Sequence, residues 1–108
     1  GRLMIDAKGR YSLQIFRSER PNFAANDRAK GTDQEMREAV LGASTAIGTM
    51  TVDWAAHTMR MNILDGSYPN IRGTTQVRPF TFDGTTLAWR VAKRPDGSVP
   101  ISVWRRTD

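Results

Sequence analysis

The chain has 108 residues, 39% hydrophobic and 25% charged, an ordinary composition for one compact domain with a single core. It carries no Cys and one His, which excludes a disulfide frame, thiolate chemistry, Cys-based metal sites and a multi-histidine metal centre within one chain. No metal or other cofactor is expected. No apolar run approaches the roughly 20 residues of a bilayer span, and no signal peptide is visible. The lack of Cys fits a reducing compartment, so the expectation is a cytoplasmic protein.

The net charge is +5, with a pI near 10.4, for which nucleic acid is the reflex reading. The distribution argues against it. Arg10, Arg17, Arg28, Arg60, Arg78 and Arg90 are scattered over nearly every segment, and only Lys93-Arg94 and Arg105-Arg106 are adjacent. A phosphate-binding surface needs its charges gathered on one face, and no motif with base-stacking aromatics is present. The basic residues read as solvated surface.

In chain order, Arg2 to Asp6 reads as a short strand already in progress at Gly1, so the natural protein is expected to begin upstream. "AKGR" (7–10) is a hairpin turn, and Tyr11, Leu13 and Ile15 alternate with Ser12, Gln14 and Phe16 in a second strand. Residues 18–31 are polar, with Pro21, Asn22, Asn26 and Gly31, and read as a long loop. Thr32 and Glu35 have capping-box spacing. Met36, Val40, Ala43 and Ile47 then recur on one helical face, which predicts a helix over 32–47 stopped by Gly48. Glu35 and Glu38 lie early in it, where acidic groups suit the helix dipole.

From Met50 onward the period is two. Met50, Val52 and Trp54 alternate with polar residues, "AAHT" (55–58) turns, and Met59, Met61 and Ile63 alternate with Arg60 and Asn62. The turn-rich "DGSYPNIRG" leads into a strand over Thr75–Phe82. "DGT" (83–85) is a Gly-containing hairpin turn. Leu87, Trp89 and Val91 alternate next, "RPDGS" (94–98) turns, and Val99 to Arg106 is the last strand. Seven strands and one helix result, five of the strands consecutive. That order builds an antiparallel meander, which hides its edges most simply by curling into a barrel. One domain over 1–108 is expected.

Gly1-Arg2-Leu3 with Gly9-Arg10-Tyr11, the run Pro69-Asn70…Gly73-Thr74…Gln76…Arg78, and Trp104-Arg105-Arg106 together resemble the bacterial and fungal lipocalin-like domain family. The resemblance covers essentially the whole chain and implies an all-β, antiparallel lipocalin-like barrel with an interior cavity. Members usually place a Gly-x-Trp-like first strand before the Gly-Arg-Leu segment, and this sequence lacks it. They often have Trp where Ile71 stands and His where Asn62 stands. Seven strands without that first one would leave two open edges. An upstream strand, or a partner chain in a homodimer through those edges, is expected to cover them. The resemblance also implies that Arg105 or Arg106 packs on an aromatic ring at the closed end, here Trp104, Trp54 or Tyr11.

In a barrel, alternate residues face inward. Met50, Val52, Trp54, Met59, Met61, Ile63, Leu87, Trp89, Val91, Ile101 and Val103 form one apolar set. They either fill the core or line a cavity for a small apolar molecule, with adaptable Met and stacking Trp. Gln76 and Arg78 share a strand face with Phe80 and Phe82. If inward, they are the few polar groups that orient a guest, and Arg78 would grip a carboxylate or carbonyl. An inward guanidinium needs a partner, for which Asp53, Asp65 and Tyr11 are the internal candidates. The candidate ligand-binding residues are Tyr11, Met50, Trp54, Met59, Met61, Asn62, Gln76, Arg78, Phe80 and Trp89, and no catalytic residue is assigned.

His57, in a turn, reads as solvated. No nucleophile elbow, phosphate loop or paired-carboxylate spacing appears. The loop over 18–31, with Arg20, Phe23 and Arg28, and the helix after it form the expected lid, the helix packing on the barrel. Three readings stay open. The first is binding of a small, mostly apolar molecule. The second is an isomerase-, cyclase- or hydratase-type enzyme using Arg78, Tyr11, Asn62 or Tyr68. The third is a structural or partner-binding domain with a filled core.

Overall fold

The computed structural model describes residues 1–107, so Asp108 lies outside the described residues. Seven strands form one antiparallel sheet in strict chain order: β1 (Arg2–Ile5), β2 (Arg10–Phe16), β3 (Ala43–Asp53), β4 (Thr58–Gly66), β5 (Thr75–Phe82), β6 (Thr86–Arg90) and β7 (Ile101–Arg105). The sheet curls into a nearly closed, all-β barrel with one short helix, α1 (Asp33–Leu41), between β2 and β3. β1 and β7 are its outer strands, and among the described residues no ladder joins them.

Turn chemistry sets the connections. Gly9 has φ 78° in the β1–β2 turn, where the Asp6 carboxylate accepts from the backbone N–H groups of Lys8 and Arg10, both at 2.9 Å. The Gly9 carbonyl accepts from the Met50 N–H at 2.7 Å, which ties this hairpin tip to β3. Asp83 caps the β5–β6 turn by accepting from Thr85 and Thr86. Those backbone donors hold the Asp83 carboxyl below its ordinary range.

The inner face is set by period-two alternation. Tyr11, Leu13, Ala46, Met50, Met59, Met61, Ile63, Phe80 and Trp89 form one buried cluster, and Arg78 is the charged residue buried with them. Cross-strand partners agree face by face: Leu13 with Ala46, Met50 with Met61, Met59 with Arg78, and Phe80 with Trp89. A β-bulge between Ile47 and Gly48 resets β3 against β4.

The helix is shorter than the spacing over 32–47 predicts. Thr32 and Glu35 do form the reciprocal capping box, but Gly42 caps the C-terminal end, and Ala43–Ile47 belongs to β3. Ala43 and Ile47 fit either period. The β-branched and hydroxylated residues Ser44, Thr45 and Ile47 favour the strand, and pairing with β2 decides it. No residue of α1 is buried, with Val40 65% exposed. It is tethered by an Arg17–Glu38 ion pair at 3.4 Å and by the Ala24 N–H donating to Glu35 at 2.9 Å. The expected apolar docking of Met36, Val40, Ala43 and Ile47 onto the barrel is therefore not made.

The last strand is shorter than Val99–Arg106, and its phase is inverted. Ile101 and Val103 face outward, while Ser102 and Trp104 pair with Trp89 and Leu87 on the inner face. A one-residue slip exchanges the faces. Burying Trp104 against Trp89, with ring centroids 5.7 Å apart, outweighs burying two smaller aliphatic side chains.

The radius of gyration is 15.9 Å, against about 13 Å for a compact chain of this length. The molecule is elongated, 51 × 34 × 23 Å along its principal axes, with α1 unburied.

A Cβ at Gly48 would run into the Asn62 carbonyl oxygen across the bulge. Gly48→Ala is expected to lower unfolding free energy by about 2 kcal/mol, the scale of overpacking at a rigid backbone contact. Urea denaturation checks this, and an unchanged midpoint would contradict the packing at the bulge.

Candidate functional site

Where β1 and β7 fail to pair, a cavity of about 1150 Å³ opens into the barrel. β1 contributes Leu3 and Ile5, β3 contributes Met50 and Val52, and Met59, Phe80 and Phe82 come from β4 and β5. Leu87 and Trp104 add to the wall, and Arg2, Asp6, Thr85, Arg105 and Arg106 are among its polar lining. Trp54 stands at the mouth, 62% exposed, its ring edge-on to Phe80 at 5.5 Å and tilted against Phe82 at 6.3 Å. No residue of the 18–31 loop or of α1 lines the cavity, which corrects the expected lid. These segments sit at the β2–β3 connection, where Arg20 covers the Phe16 ring at 4.9 Å.

One layer below lies the polar part of the interior. β5 places Gln76 and Arg78 on its inner face, opposite Met61 and Met59. Arg78 is 9% exposed, and its Nε and Nη2 both donate to Gln76 Oε1, at 3.2 and 2.5 Å. The guanidinium lies 5.6 Å from the Trp89 ring centroid. Among the described residues no carboxylate pairs with it. The two anticipated aspartates are engaged elsewhere: Asp53 accepts from the Ala56 N–H at 3.0 Å and Asp65 from the Gly66 N–H at 2.8 Å.

Tyr11 adds a hydroxyl to this layer, with no hydrogen-bond partner among the described residues. The indole N–H groups of Trp89 and Trp104 are likewise buried and unpartnered there. Burial raises the Tyr11 phenol above its ordinary 10.0, and the nearby Arg78 charge pulls it part of the way back. Burial lowers the Arg78 pKa, and Tyr11 opposes that.

Of the residues singled out from the sequence, the fold brings Tyr11, Met50, Met59, Met61, Gln76, Arg78, Phe80 and Trp89 together on the inner face and Trp54 to its mouth. Asn62 is the exception. Its neighbours Met61 and Ile63 point inward, so Asn62 points outward, bonded to Thr49 at 3.5 Å and accepting from Thr75 at 3.0 Å. Tyr68 is exposed. His57 occupies a left-handed turn position at φ 53° and is exposed. Leu3, Ile5 and Trp104 line the cavity without having been anticipated there. For Trp104 the available signal was size, since it is the largest side chain of its strand. Among the described residues, no group of three or more His, Asp or Glu is placed to hold a metal.

The Tyr11 environment makes a titration prediction. Absorbance titration of the wild type against Tyr11→Phe is expected to show Tyr11 ionising above its ordinary value. Because the folded pKa is the higher one, this stabilisation is present below pH 10.0 and is lost as pH rises through the folded value. Arg78→Met should raise the Tyr11 midpoint further. A Tyr11 midpoint at or below the ordinary value would contradict its burial.

Neither a search of curated proteins nor one of solved structures finds a match. No helix among the described residues is long and apolar enough to cross a membrane. The lipocalin-like domain family does match, over residues 1–107, and with the curled antiparallel meander and its interior cavity already in view, the chain belongs to that family.

Proposed function

We propose that this protein binds a small, mostly apolar molecule inside its barrel. The observation that carries the reading is the cavity between β1 and β7, walled by Leu3, Ile5, Val52, Leu87 and Trp104 with Arg2, Asp6, Arg105 and Arg106 among its polar lining. Arg78 and Tyr11 are buried on the same inner face, next to the lining residues Met59, Phe80 and Ile5, but do not line it themselves. Small-molecule sites combine such a concave apolar wall with a few placed polar groups. Met50 and Met59 suit guests of varied outline, because an unbranched thioether adjusts its rotamers at little cost.

A catalytic reading has less to stand on. The buried titratable groups are Tyr11, whose raised pKa keeps it protonated at neutral pH, and Arg78, which keeps its proton there. Among the described residues no carboxylate pairs with Arg78 and no group bonds the Tyr11 hydroxyl, and Asp6, a carboxylate of the cavity lining, is held by Arg10.

The uncharged dye Nile red tests the binding reading. Saturable fluorescence enhancement is expected, weakened roughly tenfold or more by Val52→Asp, which puts a charge into the apolar wall. Unsaturable binding, or binding indifferent to Val52→Asp, would overturn it. The unpaired edges of β1 and β7 also favour a homodimer, each edge offering free N–H and C=O groups to a second copy. Native mass spectrometry should then show a dimer, and a monomer at every concentration would contradict the pairing.

A further inference from the structure

We propose that the polar end of the guest is a carboxylate, received by Arg78 with the hydroxyl of Tyr11 and the indole N–H of Trp89 or Trp104 as further donors. This deepens the binding reading and rests on it. The argument comes from which buried groups are left over. An indole nitrogen only donates, a guanidinium only donates, and a phenol donates with its single hydrogen. Tyr11, Trp89 and Trp104 each keep a buried polar atom with no partner among the described residues. Gln76 Oε1, the acceptor beside Arg78 on the same face of β5, is already taken twice by it.

Charge points the same way as hydrogen bonding. Arg78 is 9% exposed and carries a positive charge that no carboxylate among the described residues balances. Its Nη1 group makes no bond to Gln76. A cationic head group would be repelled. An alcohol could accept from these donors but would bring no charge to balance the guanidinium. A carboxylate brings two oxygens, only acceptors, and the compensating charge, and its fork geometry matches a guanidinium.

The route into this layer is short. Arg78 faces Met59 across the β4–β5 register and lies one inward position from Phe80, and both of those residues line the cavity. The head group would pass between a flexible thioether and a ring edge to reach the guanidinium. The tail would stay among Leu3, Ile5, Val52 and Leu87.

The test compares decanoate with 1-decanol, two probes sharing a tail and differing in head group, by quenching of tryptophan fluorescence. Decanoate is expected to bind roughly tenfold or more tightly, the scale of hydrogen bonds to a charged group. In Arg78→Met the preference should vanish, and in Tyr11→Phe it should shrink. The comparison within the wild type stands even if Arg78→Met does not fold, and Tyr11→Phe, which removes one oxygen, supplies the second variant. Equal affinity for the two probes would overturn the carboxylate while leaving the binding reading intact. Binding of neither would overturn both. A preference that survives Arg78→Met would overturn the role given to Arg78.

Discussion

A guanidinium sits on the inner face of β5 because the register that puts it there also buries its neighbours. Met59 and Met61 are fully buried opposite Arg78 and Gln76, and Phe80 continues the same face opposite Trp89. Sliding β5 by one residue would release Arg78 to water and turn Phe80 outward, while bringing Val77 and Pro79 in. Each large apolar side chain expelled costs about 1.5–3 kcal/mol. Loss of Phe80 and of the close packing on Met59, Met61 and Trp89 would involve several of them. Holding one charged group away from water costs several kcal/mol, reduced here by two hydrogen bonds and an aromatic face. The apolar set prevails, and the charge is carried inside with it.

That same inner face decides where the barrel is solid and where it is open. From β2 through β6 the cluster is continuous, and the bulge at Gly48 lets β3 bend around it. Toward β1 and β7 the side chains thin to the half-buried Leu3, Leu87 and Trp104, and the sheet stops short of closure. The cavity lies at the seam. The centre of the sheet should therefore be its most rigid part, and the two edge strands, each held by one neighbour, its most easily opened. Access to the interior and weakness of the edges have one structural cause.

Much of this was legible in the sequence. Alternation at a period of two gave the inward apolar residues of β3, β4 and β6 from Met50 to Trp89 and put Gln76 and Arg78 on one face with Phe80, but left open which way that face points; burial of Phe80 with Trp89 settles it. It failed where two answers were nearly equal. In "ISVWRR", Ile101 and Val103 look like the buried pair until the volume of Trp104 is set against them. In "REAVLGASTAIG", helical and strand periods coincide at Ala43 and Ile47, and the turn at Gly42, with pairing to β2, decides between them. Asn62 was misplaced by analogy with a family position, although its own neighbours Met61 and Ile63 already required it to face outward. An interior cavity followed from the family resemblance, but its place at the β1–β7 seam did not, since that depends on how far seven strands curl before their edges meet.

The partner chosen for Arg78 bears on what the interior can hold. Gln76 stands two residues away on the same strand, hence on the same face, and its amide oxygen receives both Nε–H and one Nη–H. An amide orients the guanidinium without neutralising it. A glutamate at this position would make the same two bonds, close an internal ion pair and remove the excess charge from the layer. With glutamine the guanidinium is fixed in direction, stacked near Trp89 and still positive. A buried charge in that condition is destabilising by itself, and the Gln76 oxygen and the Trp89 ring offset only part of that cost. The geometry of Gln76 and Arg78 thus leaves the interior with one oriented positive charge, whose cost is borne by the apolar packing of Met59, Met61, Phe80 and Trp89 around it.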